Sequence, residues 1–257
     1  MPPPPSQPPP PPQPTVALFR ALSAAWRATG VPLPTPYAHL RSPKMHIRNR
    51  CFETVALRKV HVEHAVTRRV QVLHAVAYPR VDHALPILGV DLVGIDGVPS
   101  MAIADASLPG VPEDAVLHAE LRALQARHGL ADARTRALPE WGQGIFSSSC
   151  LFLATPDADA FSAYVMDVTA LYARAAAASR PDPTRARHLA TAHRTYCEHQ
   201  LRNARTRAVL ADAFGPEAAY EYMRGVMFDA PAVPDAPAPA PAPAPAGVAD
   251  AGLEQET

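Results

Sequence analysis

The chain has almost no lysine. Two lysines stand against 22 arginines, a compositional mark of a GC-rich genome. An equal number of acidic residues brings the formal net charge to zero, so bulk charge gives no case for nucleic acid or an anionic membrane as a partner. Cysteine is scarce as well. Cys51, Cys150 and Cys197 are far apart and odd in number. That excludes a CxxC-type zinc or iron–sulfur run and a disulfide framework, and leaves reduced thiols that fill a core. No apolar stretch approaches the about 20 residues of a membrane-spanning helix. There is no GxGxxG and no P-loop, the usual cradles of dinucleotides and nucleotide phosphates. The first residues, MPPPPSQPPPPPQP, have neither the basic nor the apolar region of a secretory signal and lack the arginines and serines of a transit peptide. A monomer in the cytoplasm is expected, or in the plastid stroma for an algal source.

Proline is what the chain has in excess, 31 of 257 residues, and it concentrates at the ends. Residues 1–14 and 230–257 are Pro-rich or Ala/Pro-rich, cannot pack a core, and are expected to be disordered tails. Residues 15–229 form one ordered unit, large enough for a sizeable core at 48% hydrophobic composition overall. In Thr15–Gly30, Val16, Leu18, Phe19, Leu22, Ala25 and Trp26 recur at helical spacing. Residues 55–105 read as Val- and Ile-rich strands. Asp114–His128 reads as a helix and Cys150–Thr155 as a short strand. Phe161, Tyr164, Val165, Val168, Leu171 and Tyr172 mark a further helix. Pro183–Phe214 reads as one long helical stretch, stopped by Gly215-Pro216, and Glu217–Met227 as a last helix. Strands before helices suggest an α+β sandwich around an antiparallel sheet.

Polar residues interrupt the apolar strands in a pattern. Side chains alternate across a strand, so Val60, Val62 and Val66 share one face while His61 and Glu63 share the other. A turn near Thr67-Arg68, with Val66 opposite Arg69, puts His61 opposite His74 and Glu63 opposite Val72. Pairing Tyr78 with Ile87 puts His74 opposite Asp91. Asp96-Gly97 is a two-residue hairpin signal, and pairing Ile95 with Val98 places Ser100, Ala102 and Ala104 on the Asp91 face. The opposite face then collects Val60, Val62, Val66, Leu73, Val90, Leu92, Met101 and Ile103 as a core. His61, Glu63, His74 and Asp91 converge beside small residues, as on the floor of a pocket for a flat ligand. The residues alone leave three readings: an acid–base site, satisfied core histidines, or a zinc or iron site.

Longer segments carry a resemblance. NRCFET (49–54), RKVHVE (58–63), LHAVAYPR (73–80), LPILGVDLV (85–93), AIADASLP (102–109), LPEWGQGIFSSSCLF (138–152), YCEHQLRNARTRAVLADAFG (196–215) and YMRGVMFD (222–229) resemble, in order, segments of the ferredoxin-dependent bilin reductases. The resemblance implies a three-layer α/β/α sandwich with a central antiparallel sheet. It implies biliverdin IXα as substrate, held between the sheet and the C-terminal helices, reduced ferredoxin as electron donor, and no bound cofactor or metal. It favours the branch that forms phycocyanobilin through radical intermediates.

By matched motif, Asp91 is the proton donor near the lactam oxygens, His74 its partner, and Glu63 the carboxyl beside the reduced vinyl group. His61 supports His74, Ser100, Arg136 and Arg205 hold propionates, and Asn203 lines the pocket. One departure stands out. The family motif Asn-Asp-Lys-Thr-Arg reads Asn203-Ala204-Arg205-Thr206-Arg207 here. The aspartate serves a later protonation in relatives, so its loss opens other products of the same class, 15,16-dihydrobiliverdin or phycoerythrobilin. A non-catalytic bilin binder is a further alternative, against which Glu63, His74 and Asp91 speak. Basic clusters in 41–70 and 185–207 are expected to dock an acidic ferredoxin.

Overall fold

A computed structural model describes residues 13–234. The readings of the tails fall outside the described residues for 1–12 and 235–257. Helix α1, Pro14–Thr29, begins one residue inside the expected tail, because Pro14 at the first helical position needs no hydrogen bond and has its φ pre-set. Short strands β1, Val31–Pro32, and β2, His39–Arg41, follow. Then come the long strands of the meander: β3, Met45–Glu53; β4, Leu57–Thr67; β5, Val70–Pro79; β6, Ile87–Ile95; and β7, Val98–Ser107. Helix α2, Ala115–Arg127, is capped by the Asp114 carboxylate, and β8 is Leu151–Ala154. Helix α3, Ala158–Ala178, starts from the Asp157 cap. The chain ends in α4, Ala186–Gln200, α5, Ala204–Phe214, and α6, Pro216–Tyr222, which runs into a π-helical turn, Met223–Met227.

All strand pairs are antiparallel, in the order β1-β3-β4-β5-β6-β7-β8, with β2 also on β3. Even-numbered side chains of β4 and odd-numbered ones of β5 meet α1, α2 and α3. That layer holds Leu18, Leu22, Trp26, Val60, Val62, Leu73, Val90, Leu92, Phe161, Val165 and Tyr172. The other face carries Ile47, Val76, Tyr78 and Ile87 and is covered by Tyr196, Leu210, Tyr222, Met223 and Phe228 of the C-terminal helices. The expected three-layer α/β/α sandwich is therefore the fold.

Four sequence expectations are corrected. The β4–β5 turn is centred one residue later. The Thr67 hydroxyl accepts from the Val70 N–H at 2.8 Å, and Arg69 pairs with Asp96, so Arg68-Arg69 form the loop. The register moves by two, which keeps the faces but places Glu63, not His61, opposite His74, with His61 opposite Val76. In β7 an irregularity at Val93/Gly94 leaves Ser100 without a cross-strand partner. Pro99 cannot donate to the ladder, and Ser100 turns its hydroxyl to the Val93 carbonyl at 3.3 Å. Met101, Ile103 and Asp105 consequently join the Asp91 face, and Ala102 and Ala104 go to the core. The third correction is the long helix over Pro183–Phe214, which breaks at Leu201–Asn203. There the Asn203 side chain accepts from the Thr206 N–H and starts a new helix. The fourth is β1–β3, which the sequence reading left without strands.

Gly30 ends α1 by close approach. A Cβ there would stand 2.7 Å from the Glu53 carbonyl oxygen, a backbone atom. Gly30→Ala is expected to cost about 1–3 kcal/mol. A thermal melt indistinguishable from that of the parent chain would show that the contact yields freely.

His193, on α4, has both ring nitrogens buried without a partner. Burial, with Arg58 second, pushes its pKa down to about 3. An unfolded chain binds this proton near pH 6.5, so stability is lost as pH falls from there towards the folded value. His193→Leu is expected to flatten the dependence of unfolding free energy on pH in that window by about 1.4 kcal/mol per unit. Denaturant titrations at pH 7, 6 and 5 with parallel slopes for both proteins would refute it.

Candidate active site

The meander aligns the site residues into cross-strand rungs. One rung runs Asn49, Glu63, His74, Asp91, Ile103, Phe152 across six strands. The next runs Cys51, His61, Val76, Gly89, Asp105. Paired residues share a face, so both rungs look towards α4–α6.

Each polar side chain on the first rung makes at least one hydrogen bond to another side chain. His74 Nδ1 lies 2.7 Å from Asp91 Oδ1. Burial alone would strip His74 of its charge. The Asp91 carboxylate, its hydrogen bond and the nearby Glu63 outweigh that, and the imidazole pKa is raised. Its Nδ1–H therefore donates to Asp91, and Nε2 is a buried donor with no partner.

Glu63 is 3% exposed, and burial raises its pKa against the pull of His74 and of Tyr222. The Tyr222 hydroxyl lies 2.6 Å from Glu63 Oε2 and 2.9 Å from Asn49 Oδ1. The Tyr222 O–H donates to the Glu63 carboxyl, with Asn49 Oδ1 within reach of the same hydroxyl. His61 Nε2, 2.8 Å from Asn49 Oδ1, donates to the same oxygen. Its Nδ1 is left as a buried acceptor without a partner, and burial holds its pKa far below the usual value. The His61 and His74 rings meet edge to face at 5.9 Å. The two rungs thus hold an imidazole whose pKa its carboxylate partner raises, a carboxyl whose pKa burial raises and an imidazole whose pKa burial lowers, the assortment that stepwise proton donation needs.

Segment 222–229 covers the rung. Phe228 packs edge-on against His74 at 5.7 Å. Tyr78 donates its hydroxyl to the Met227 carbonyl at 2.6 Å, and Lys59 donates to the Val226 carbonyl at 2.8 Å. Lys59 and Arg58 both pair with Asp229. The π-helical turn lies between these anchors, a geometry common at functional sites.

The remaining expected site residues lie further out. Arg136 is exposed, with its guanidinium 5.5 Å from the Phe152 ring centre at the end of the first rung. Ser100 sits in the β7 bulge. Asn203 is the cap of α5, and Arg205 is exposed in the first turn of that helix. No hydrogen bond ties Ser100, Asn203 or Arg205 to the rung among the described residues. The reading missed Asn49, Tyr222 and Asp105. Asn49 and Asp105 share the period-two pattern of the other site residues, but the first lies in an unassigned strand and the second beyond the bulge. Tyr222 carries no signal in the sequence. No group of three or more His, Cys, Asp and Glu side chains is placed to hold a metal ion among the described residues. Half of the eight lysines and arginines in 41–70 are paired: Lys44 with Asp212, Arg58 and Lys59 with Asp229, Arg69 with Asp96. Arg48 and Arg50 join Arg20 and Arg27 in lining a groove of about 530 Å³ between α1 and β3, which has no carboxylate in its lining. No helix among the described residues is long and apolar enough to cross a membrane.

Comparison with known proteins agrees along most of the chain. The family profile described as ferredoxin-dependent bilin reductase matches residues 31–229. The phycocyanobilin:ferredoxin oxidoreductase of Trichodesmium erythraeum (strain IMS101) is 36% identical over 201 residues, covering 75% of this chain and 80% of that protein. The protein of the same name from Gloeobacter violaceus is 37% identical over 203 residues, covering 75% and 77%. Among solved structures, tomato phytochromobilin synthase in complex with biliverdin superposes with a TM-score of 0.69 at 14% identity, over 82% of each chain, and shares the fold.

Proposed function

The chain belongs to the ferredoxin-dependent bilin reductases, and from that premise we propose that it reduces biliverdin IXα to phycocyanobilin with electrons from reduced ferredoxin. The observation that carries this reading is the pair of unpartnered ring nitrogens, His74 Nε2 and His61 Nδ1, buried on the site face. Buried polar atoms are rarely left unpaired. A bilin offers lactam oxygens to the donor and pyrrole N–H groups to the acceptor. Binding such a flat ligand requires segment 222–229 to move off the rung.

Each electron added makes the bilin more basic, and a nearby acid must neutralise it in a site of low dielectric. His74 with Asp91 supplies the first proton as a coupled pair. Glu63, held by Tyr222 and with its pKa raised by burial, supplies the vinyl step. Arg136, at the end of the rung, holds a propionate. The Arg20, Arg27, Arg48 and Arg50 groove offers a positive surface to an acidic ferredoxin. A specific observation favours a second reading, in which reduction stops at a dihydro product: position 204, at the start of α5, is an exposed alanine and offers no proton.

Anaerobic mixing with biliverdin, followed by ferredoxin, ferredoxin reductase and NADPH, tests both. A spectral shift on mixing, then conversion to phycocyanobilin by chromatography, is expected. No shift on mixing defeats the proposal. A final dihydrobiliverdin supports the second reading, and a shift that never changes under reduction leaves a bilin binder.

A further inference from the structure

Asp105 lies on the rung next to Asp91, opposite Gly89. It is 5% exposed and belongs to none of the pairs described above. Ser107 donates to one of its oxygens, and the Ser147 hydroxyl donates to the other at 2.5 Å. Ser147 Oγ lies 3.1 Å from Ser149 Oγ, and Ser149 Oγ lies 2.7 Å from His118 Nδ1. His118 belongs to α2, on the far side of the 147–149 loop. Beside it the exposed Glu113 accepts from Ser148.

Ser147 has one O–H, and it is given to Asp105. With His118 in its Nδ1–H tautomer, Ser149 accepts from the ring and gives its own O–H to Ser147, and every donor then points from α2 towards the site face. The far end is close to the rung. A Cβ at Gly89 would stand 3.0 Å from the Tyr196 hydroxyl, so that hydroxyl occupies the space a side chain would fill between Asp91 and Asp105. Burial raises the Asp105 pKa even against its hydrogen bonds from Ser107 and Ser147, which fits a carboxyl that accepts and releases a proton.

We propose that His118, Ser149, Ser147 and Asp105 form a proton relay that replenishes the site face during bilin reduction. The proposal rests on the bilin reductase reading above. In each cycle the bilin takes one electron from reduced ferredoxin, which is oxidised, and one proton from the donors of the site face, which recover it from the Asp105 carboxyl. Asp105 takes a proton from Ser147, Ser147 from Ser149, and Ser149 from His118 Nδ1. His118 takes a proton from solvent at Nε2 on the Glu113 side as Nδ1 gives one up, and its return to the Nδ1–H tautomer, with rotation of the two serine hydroxyls, closes the cycle. Only O–H and N–H bonds break and form.

A purely structural role, tying the 147–149 loop to the sheet, is distinguished by chemical rescue. His118→Ala is expected to bind biliverdin as the parent does, to turn over at least tenfold more slowly with saturating reduced ferredoxin, and to show a larger solvent deuterium isotope effect. Millimolar imidazole is expected to restore its rate, since a diffusible acid then fills the gap at Ser149. Ser148→Ala, which loses the bond to Glu113 outside the relay, is expected to keep the parent rate. A parent chain that reduces the bilin while His118→Ala matches its rate overturns the relay alone. So does a slow His118→Ala that imidazole leaves slow, with an unchanged isotope effect. A parent chain that gives no spectral shift with biliverdin overturns the underlying reading, and the relay with it. Should His118→Ala fold poorly, Ser149→Ala is read in the same way, with a raised isotope effect expected and a parental one counting against the relay.

Discussion

Asp91→Asn will bind biliverdin and stall before reduction is complete. Asparagine keeps the shape of the carboxylate but not its charge. The charge does two things here. It places an acid on the rung, and it is the largest influence that overcomes burial to keep His74 protonated. The substitution therefore removes the carboxyl and, through it, the imidazolium. The loss falls at or beyond the upper end of the about 10²–10⁴ in rate that one positioned acid contributes. Burial still raises the Glu63 pKa in this variant, so vinyl chemistry keeps its donor while the first protonation does not. Rapid mixing under reducing conditions is expected to show an early reduced species that decays slowly, with a bilin titration close to that of the parent. The parent's rate should also fall as pH rises through the raised His74 value, because the donor is then lost. Parental turnover by Asp91→Asn would take Asp91 out of the proton-donating pair.

Asp229→Ala is expected to destabilise the chain by about 1–3 kcal/mol, less than the cost of breaking a fully buried ion pair because the Asp229 side chain is 34% exposed. The Lys59 side chain is 9% exposed, and Asp229 is the carboxylate beside it. Burial pulls the Lys59 pKa down, and Asp229 opposes that pull. Without the carboxylate, the ammonium keeps the Val226 carbonyl and the face of the Tyr78 ring, 5.0 Å from its centre, and the anchor of segment 222–229 loosens. The double variant Lys59→Met/Asp229→Ala should recover most of the loss, because an apolar side chain fits where an uncompensated charge does not. Denaturant unfolding of the two variants and the parent decides it. A loss below about 1 kcal/mol in the single variant would mean that water already reaches Lys59. Biliverdin should also associate faster with Asp229→Ala, since Phe228 and Tyr222 leave the rung more readily.

The sequence made the fold class and the central pairing of the site readable for a physical reason. Period-two alternation survives any register change by an even number, so the two-residue error in the β4–β5 turn left Glu63, His61 and His74 on their correct face. The Pro79–Pro86 connection kept His74 opposite Asp91. What failed was parity and packing. The bulge at Ser100 changed the count by one and hid Asp105 among residues assigned to the core. The short β1 and β2 and the polar-alternating β3 have too few apolar residues to stand out, and with them went Asn49. The break at Leu201–Asn203 lies inside a stretch of good helix formers and depends on one capping side chain. Tyr222 reaches Glu63 from 159 positions away, a contact set by the docking of α6 alone.

The unpaired residue in β7 makes the chemistry of this hairpin sensitive to length as well as to composition. Loss of the single codon for Ser100 would restore an unbroken ladder and leave Met101 opposite Val93, whereas a codon gained between Ile103 and Ala104 would turn the rest of β7 inside out. After that gain Asp105 would be driven among the leucines beneath α3, and the methyl groups of Ala104 and Ala106 would take its place facing the site. An in-frame insertion there is thus a larger chemical change than most substitutions in the site, although it touches no acid and no base.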